Sequence, residues 1–293
     1  MTKTKNIHDR INLALSQTLK SAKESPAPPK LAAAIDYAVF PGGARVRPRL
    51  CLAVAQACGE DFLEIGESAA AAIELIHCAS LVHDDLPCFD NAALRRGKPT
   101  VHRAFGEPVA VLVGDTLIIL AYENLAKGCM KCPERLSGLI RTLTKSSGLP
   151  FGICSGQGWE SEEKINLSAY HQLKTGSLFV AATCMGAISA GEDPEPWVEL
   201  GERVGEAFQV ADDLKDVIGQ MDKLGKPKGQ DAINSRPSAV SELGVEGAID
   251  RLQGILSGAI ASIPACSGEA QLCEIIRHQA KQLMPSFAAD KVL

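Results

Sequence analysis

Residues 83–97, His-Asp-Asp-Leu-Pro-Cys-Phe-Asp-Asn-Ala-Ala-Leu-Arg-Arg-Gly, crowd Asp84, Asp85 and Asp90 together with Arg95 and Arg96. They follow an apolar run of helical spacing over residues 70–82, which Pro87 must end or bend. Neighbouring carboxylates repel each other and lose hydration at the end of a buried helix, so the site favours a bound cation. Ligands that are all oxygen suit a hard ion such as Mg²⁺, which keeps several waters and commonly brings a phosphate with it. The two guanidiniums suit phosphate oxygens, which they can bond in pairs. Taken alone, an Asp-Asp pair is equally compatible with a capped, solvated turn.

A second cluster, Glu206-Ala-Phe-Gln-Val-Ala-Asp-Asp-Leu-Lys-Asp216, changes that balance. On a helix, Gln209, Asp213 and Asp216 share one stripe and Asp212 lies one turn from Asp216. Like charges at this spacing cost roughly 0.2–0.5 kcal/mol per pair, so something must offset them. If the two helices lie side by side, their carboxylates can hold several Mg²⁺ ions around one diphosphate.

The elements that must position these groups read as helices. The chain has 293 residues, 46% of them hydrophobic and only 4% aromatic. That is enough to bury a large core, and the abundance of small and aliphatic residues favours close-packed helices over a β-sandwich. Helical patterns run over about 7–23, 31–40, 50–58, 61–84, 107–127, 133–147, 167–190, 195–219, 239–262 and 269–284, with Gly and Pro signals between them. No strand alternation and no fixed repeat emerges. The expectation is an all-α fold, one domain over residues 1–293, built as a single large bundle of roughly ten or more helices around a central substrate cavity.

Net charge is −5, so no global basic field attracts nucleic acid or an anionic membrane, and an anionic substrate must be drawn by local cations. The polar first residues lack the apolar core of a signal peptide, and the longest apolar run, 109–121, is broken by Gly114 and Asp115. A cytoplasmic protein without a transmembrane segment is expected. Ten cysteines are scattered through helical patterns, and Cys129-Met-Lys-Cys132 has no second pair at zinc-ligand spacing. Arg45, Arg47 and Arg49 follow a Gly-Gly turn and either form a solvated loop or hold an anion. The polar stretch 223–237 reads as a surface connector or as a lid over an anionic ligand.

In order along the chain stand Gly42-Gly43-x-Arg45-x-Arg47-Pro48, Glu74-x-x-His77, the first aspartate cluster with Leu94-Arg95-Arg96-Gly97, Lys174-Thr175-Gly176, Phe208-Gln209-x-x-Asp212-Asp213-x-x-Asp216 and Leu224-Gly225-Lys226. Together they resemble the all-trans short-chain polyprenyl diphosphate synthases over nearly the whole length. The wording is most similar to geranylgeranyl diphosphate synthases of proteobacterial carotenoid and bacteriochlorophyll pathways.

The resemblance implies a mechanism. Mg²⁺, three ions with substrate bound, would sit between Asp84, Asp85 and Asp90 on one side and Asp212, Asp213 and Asp216 on the other. An allylic diphosphate (dimethylallyl, geranyl or farnesyl) would ionise there, with Arg95, Lys174 and Lys226 adding positive charge and Thr175 and Gln209 close to the leaving group. Isopentenyl diphosphate would be held by Arg47, His77 and Arg96, with Arg236 a further substrate-binding position. The family also implies a homodimer, for which apolar residues of the 107–127 helix are interface candidates.

Two positions depart from the pattern. Ala44 stands where the family has lysine, and Arg236 where it often has lysine before Ser or Thr. Arg45 or Arg49 is the expected substitute for the missing lysine. In the family, bulky aromatics four or five residues before the first cluster close the product tunnel. Ala79 and Ser80 stand there, which implies a product longer than fifteen carbons, namely geranylgeranyl diphosphate. The rival readings are a farnesyl diphosphate synthase, a weakly active paralogue serving as a regulatory subunit, and a terpene cyclase or head-to-head synthase. The last needs no isopentenyl site, so Arg47, His77 and Arg96 speak against it.

Overall fold

A computed structural model describes residues 6–40, 43–164, 170, 172–221 and 239–283; side chains at 216, 218–221 and 280–283 lie outside the description. Among the described residues there are twelve α-helices. They are α1 (Ile7–Ala22), α2 (Pro29–Val39), α3 (Val46–Ala57), α4 (Leu63–Asp84), α5 (Val101–Phe105), α6 (Glu107–Gly128), α7 (Leu136–Ser147), α8 (Ile153–Gly158), α9 (Ser177–Ser189), α10 (Val198–Met221), α11 (Ala239–Ala261) and α12 (Glu269–Leu283).

The centre of the bundle is α4. Its 22 residues are apolar on nearly every side, and Ala69 to Ala72 are fully buried, as suits a helix surrounded by others. It packs most extensively on α6 and also on α3 and α9, while α10 packs on α9 and α11. The N-terminal helix is tied on by Arg10, whose guanidinium bonds Glu60 at 2.6 Å and Glu67 at 2.9 Å. By length and composition both α4 and α6 are apolar enough to cross a bilayer, which no uninterrupted run in the sequence foretold. The apolar window of α4 is 72% buried inside the protein and that of α6 39%.

Three local features depart from the helical expectation. The first cluster ends in a β-hairpin, β1 (Leu94–Arg95) and β2 (Lys98–Pro99), antiparallel and two residues per strand. Its turn residues Arg96 and Gly97 have φ of 53° and 77°, as a two-residue hairpin of the primed type requires. Strands this short leave no alternation to read. The second feature is a π-turn over Gln172–Gly176, immediately before α9 and inside the segment read as plain helix. Helix α11 is likewise interrupted, at Gly244 with φ 71°.

Candidate active site

Helix α4 ends at Asp84, with Asp85 as its C-cap, and the following turn is closed by the Asp90 N–H donating to the Asp84 carbonyl at 3.0 Å. The first two carboxylates therefore sit at the negative end of the helix dipole, an unfavourable place without cations nearby. Asp85 is buried, and the Arg95 guanidinium bonds both its oxygens through Nε and Nη2 at 2.7–2.9 Å. Asp84 is half-buried, with the Lys174 Nζ 3.7 Å from its Oδ2. Burial pushes its pKa up, Lys174 works against that, and the charges of Asp90 and Glu160 push it up further.

Lys174 and Thr175 are set by the π-turn. Burial alone would lower the lysine's pKa, but its bond to Glu160 and the charge of Asp84 more than offset this and raise it. The Thr175 hydroxyl donates to Gln209 Oε1 at 3.1 Å, and Gln209 Nε2 donates to Asp213 Oδ1 at 3.1 Å. Asp213 Oδ2 also accepts the Ala239 N–H at 2.9 Å, so this carboxylate caps the start of α11 as well as facing Gln209. Asp212 is exposed one residue away and acts electrostatically on Arg47. Asp216 lies on α10 with its side chain outside the description, and Lys226 and Arg236 fall outside the described residues altogether. Beside Gln209 and Asp213 opens a groove of about 1430 Å³ that also touches Gln172 and Gly176; no residue of α4 lines it.

Among the described residues no three carboxylates already form a closed ligand set. The donors of the first cluster are nonetheless all oxygen and anionic, and Asp84 is strained towards protonation by burial and like charge. Such a set fits a hard divalent cation.

A second, cationic locus lies beside the first. The guanidinium of Arg47 is buried, stacked 4.5 Å over the Phe179 ring and 5.6 Å from that of Phe208. Its Nε has no protein partner, and its Nη1 is 3.5 Å from His77 Nε2. Burial lowers its pKa to about 10, with Glu74 opposing and Arg96 adding to the shift, so it remains charged at neutral pH. Burial, then Arg47, Arg96, Arg95 and Arg45 in turn, hold His77 well below its ordinary pKa, so the imidazole is neutral. Arg96 closes the group: its guanidinium lies so near Gly43 that any Cβ there would come within 2.6 Å of it. Three cationic or donor side chains with one orphaned buried N–H suit an anion.

Arg45 does not join them, contrary to the expectation that it might replace the missing lysine. Its guanidinium turns into the core, bonding Glu74 at 2.5 Å and the Val39 carbonyl at 2.6 Å. The backbone at Arg45 is left-handed, with φ 51°. Glu74 was legible only as the first residue of the Glu74-x-x-His77 motif, with no partner foreseen, and neither Glu160 nor the Phe179–Phe208 platform under Arg47 was singled out from sequence. Phe208 was legible as part of the second cluster, whereas Glu160, amid other acidic residues, reads as solvent-facing. Ala79 is buried on α4 and Ser80 half-buried, its hydroxyl donating to the His77 carbonyl at 2.9 Å.

A family model described as polyprenyl synthetase matches residues 28–272, and every motif above falls within that span. The chain belongs to the polyprenyl synthetase family. This member is 59% identical to a geranylgeranyl diphosphate synthase of Cereibacter sphaeroides, over 97% of its own length and 98% of the relative's. It is 54% identical to the geranylgeranyl diphosphate synthase of Rhodobacter capsulatus, over 95% and 96% of the two chains. Among solved structures it is similar to an FPP/GFPP synthase of Zymomonas mobilis, with a TM-score of 0.77, 32% identity and coverage of 94% and 99%. It is also similar to the Helicobacter pylori geranyltransferase complexed with magnesium and isoprenyl diphosphate, with a TM-score of 0.75, 29% identity and coverage of 96% and 100%.

Proposed function

We propose that this polyprenyl synthetase is a Mg²⁺-dependent trans-prenyltransferase that joins isopentenyl diphosphate head-to-tail to allylic diphosphates, ending mainly at geranylgeranyl diphosphate. The observation that carries this reading is the pair of neighbouring loci, one anionic and one cationic, because the reaction needs two diphosphates held side by side and treated differently. At the anionic locus Asp84, Asp85 and Asp90 with Asp212, Asp213 and Asp216 would hold the metal, three ions with substrate bound. Mg²⁺ supplies neutralisation of the leaving diphosphate's charge. Lys174 and Arg95 add fixed positive charge beside it, where charge develops as the C–O bond breaks. The Thr175–Gln209 pair orients polar groups towards the same place, and Lys226 and Arg236, outside the described residues, are assigned to the substrate by the family resemblance alone.

At the cationic locus Arg47 and Arg96 bond the isopentenyl diphosphate, and neutral His77 adds a hydrogen bond without adding repulsion between like charges. The allylic cation is then captured by the double bond of the second substrate, and a proton leaves to the released pyrophosphate. No enzyme nucleophile takes part. Ala79 and Ser80 set product length: both are small and lie four or five residues before Asp84, so the growing tail is not stopped early. The exposed apolar residues Val111, Leu112 and Ile119 of α6 support a homodimer joined through that helix.

Labelled isopentenyl diphosphate incubated with dimethylallyl, geranyl and farnesyl diphosphates and Mg²⁺ should give a twenty-carbon product, and Ala79→Tyr should shorten it to fifteen. No condensation from folded protein would overturn the reading, and an unchanged product from Ala79→Tyr would remove Ala79 from it. Ala44 is exposed beside Gly43, so lysine fits there without a clash. A charge-assisted hydrogen bond contributes about 1.5–3 kcal/mol, so Ala44→Lys should lower the KM for isopentenyl diphosphate about tenfold to a hundredfold and leave that for farnesyl diphosphate unchanged.

A further inference from the structure

Three donors converge on one carboxylate that belongs to neither aspartate cluster. Glu160 lies in the 3₁₀ turn Trp159–Ser161 that follows α8, with its side chain 17% exposed. Its Oε1 accepts from Lys174 Nζ at 2.7 Å and from the Tyr170 hydroxyl at 2.5 Å, and its Oε2 accepts from Gln157 Nε2 at 2.7 Å. The Tyr170 ring lies 5.6 Å from the same ammonium. The turn bearing Glu160 is fixed against the π-turn by α8, for a Cβ on Gly156 would come within 2.4 Å of the Lys174 backbone nitrogen.

The distances around Lys174 are unequal. Nζ is hydrogen-bonded to Glu160 but stands 3.7 Å from Asp84, beyond hydrogen-bond range. Without Glu160 the anion next to the ammonium would be Asp84, and Lys174 would close onto the carboxylate that the proposed reaction needs for metal. We propose that Glu160 is a positioning residue for prenyl transfer, holding Lys174 off Asp84 so that the carboxylate stays open and the ammonium points at the allylic leaving group. This rests on the function proposed above. The role needs a carboxylate: Glu160 meets three donors as an acceptor only, and an amide in its place would present its own NH₂ to at least one of them.

The test uses the full-length enzyme, with steady-state kinetics varying each substrate in turn and calorimetric titration of farnesyl thiodiphosphate in the presence of Mg²⁺. Glu160→Gln should lower kcat about tenfold to a hundredfold and weaken the thiodiphosphate, since misplacing a catalytic group by about 1 Å has effects of that order. The KM for isopentenyl diphosphate should stay within about twofold, because its site lies at Arg47 and Arg96. Glu160→Asp, which keeps the charge, should recover part of the loss; if Glu160→Gln does not fold, Glu160→Ala carries the comparison in its place.

If Glu160 acts through Lys174, adding Glu160→Gln to Lys174→Ala should cost less than about a further twofold. Losses that multiply in the double variant, or a folded Glu160→Gln enzyme with kcat and thiodiphosphate affinity within about twofold of wild type, would overturn the proposal. A wild-type enzyme that makes no prenyl product would instead overturn the underlying function, so the two failures are distinguishable.

Discussion

Asp84→Ala should lower kcat for condensation about a thousandfold while the KM for isopentenyl diphosphate changes by no more than about twofold. Asp84 is bonded by no guanidinium: Arg95 is taken up by both oxygens of Asp85 and acts on Asp84 only through its charge, while Lys174 stands 3.7 Å from Asp84. Its charge is therefore available to a metal, and the leaving diphosphate would lose that anchor without it. The isopentenyl site proposed at Arg47, His77 and Arg96 does not include this side chain, so affinity there should be spared.

A stability measurement makes the same point with the opposite sign. The folded-state pKa of Asp84 is raised, first by burial, so the protonated form is favoured by folding and that stability is lost as pH rises through the raised pKa. At neutral pH the ionised group is a cost. In the absence of metal, Asp84→Asn should melt at or above the wild-type temperature and lose activity about as severely as alanine. A melt well below wild type would show that Asp84 is part of the framework and not a ligand held at the framework's expense.

What the sequence made legible was whatever leaves a local pattern. Helix α4 follows from continuous apolar character up to a proline, and the two carboxylate clusters stand out because such charge on apolar helices needs a reason. Arg47 and His77 were proposed from the family resemblance of their motifs, whereas the Phe179 and Phe208 rings that pack against Arg47 come from two other helices. Glu160 was invisible for a related reason: its role comes from Lys174 and Tyr170 folding back over it, and a glutamate among Glu162 and Glu163 carries no mark of burial. The hairpin over 94–99 was missed because two residues per strand cannot show alternation. Arg45 was read as a spare cation for the isopentenyl site, since a sequence of alternating arginines does not say which one turns into the core.

That inward turn sets up the second large effect. Glu74→Ala should destabilise the fold by about 3–5 kcal/mol, read from urea unfolding, because it leaves a buried guanidinium without its counter-charge. Arg45 and Glu74 are 2% and 3% exposed at the side chain, so water cannot take the place of the lost partner. The Val39 carbonyl would still accept from Nη2, but a carbonyl does not neutralise charge. Replacing both members, Arg45→Met with Glu74→Leu, should recover most of the stability, since a buried pair returns little net energy over an apolar one. Function should not recover with it. The pair ties the residue just before the helix bearing Arg47 to α4, and Gly43 two residues earlier lies against Arg96, so the apolar double variant should fold and still bind isopentenyl diphosphate at least about tenfold more weakly. Wild-type affinity in that variant would mean that the turn is set by the backbone alone, and that the buried ion pair serves the core without serving the site.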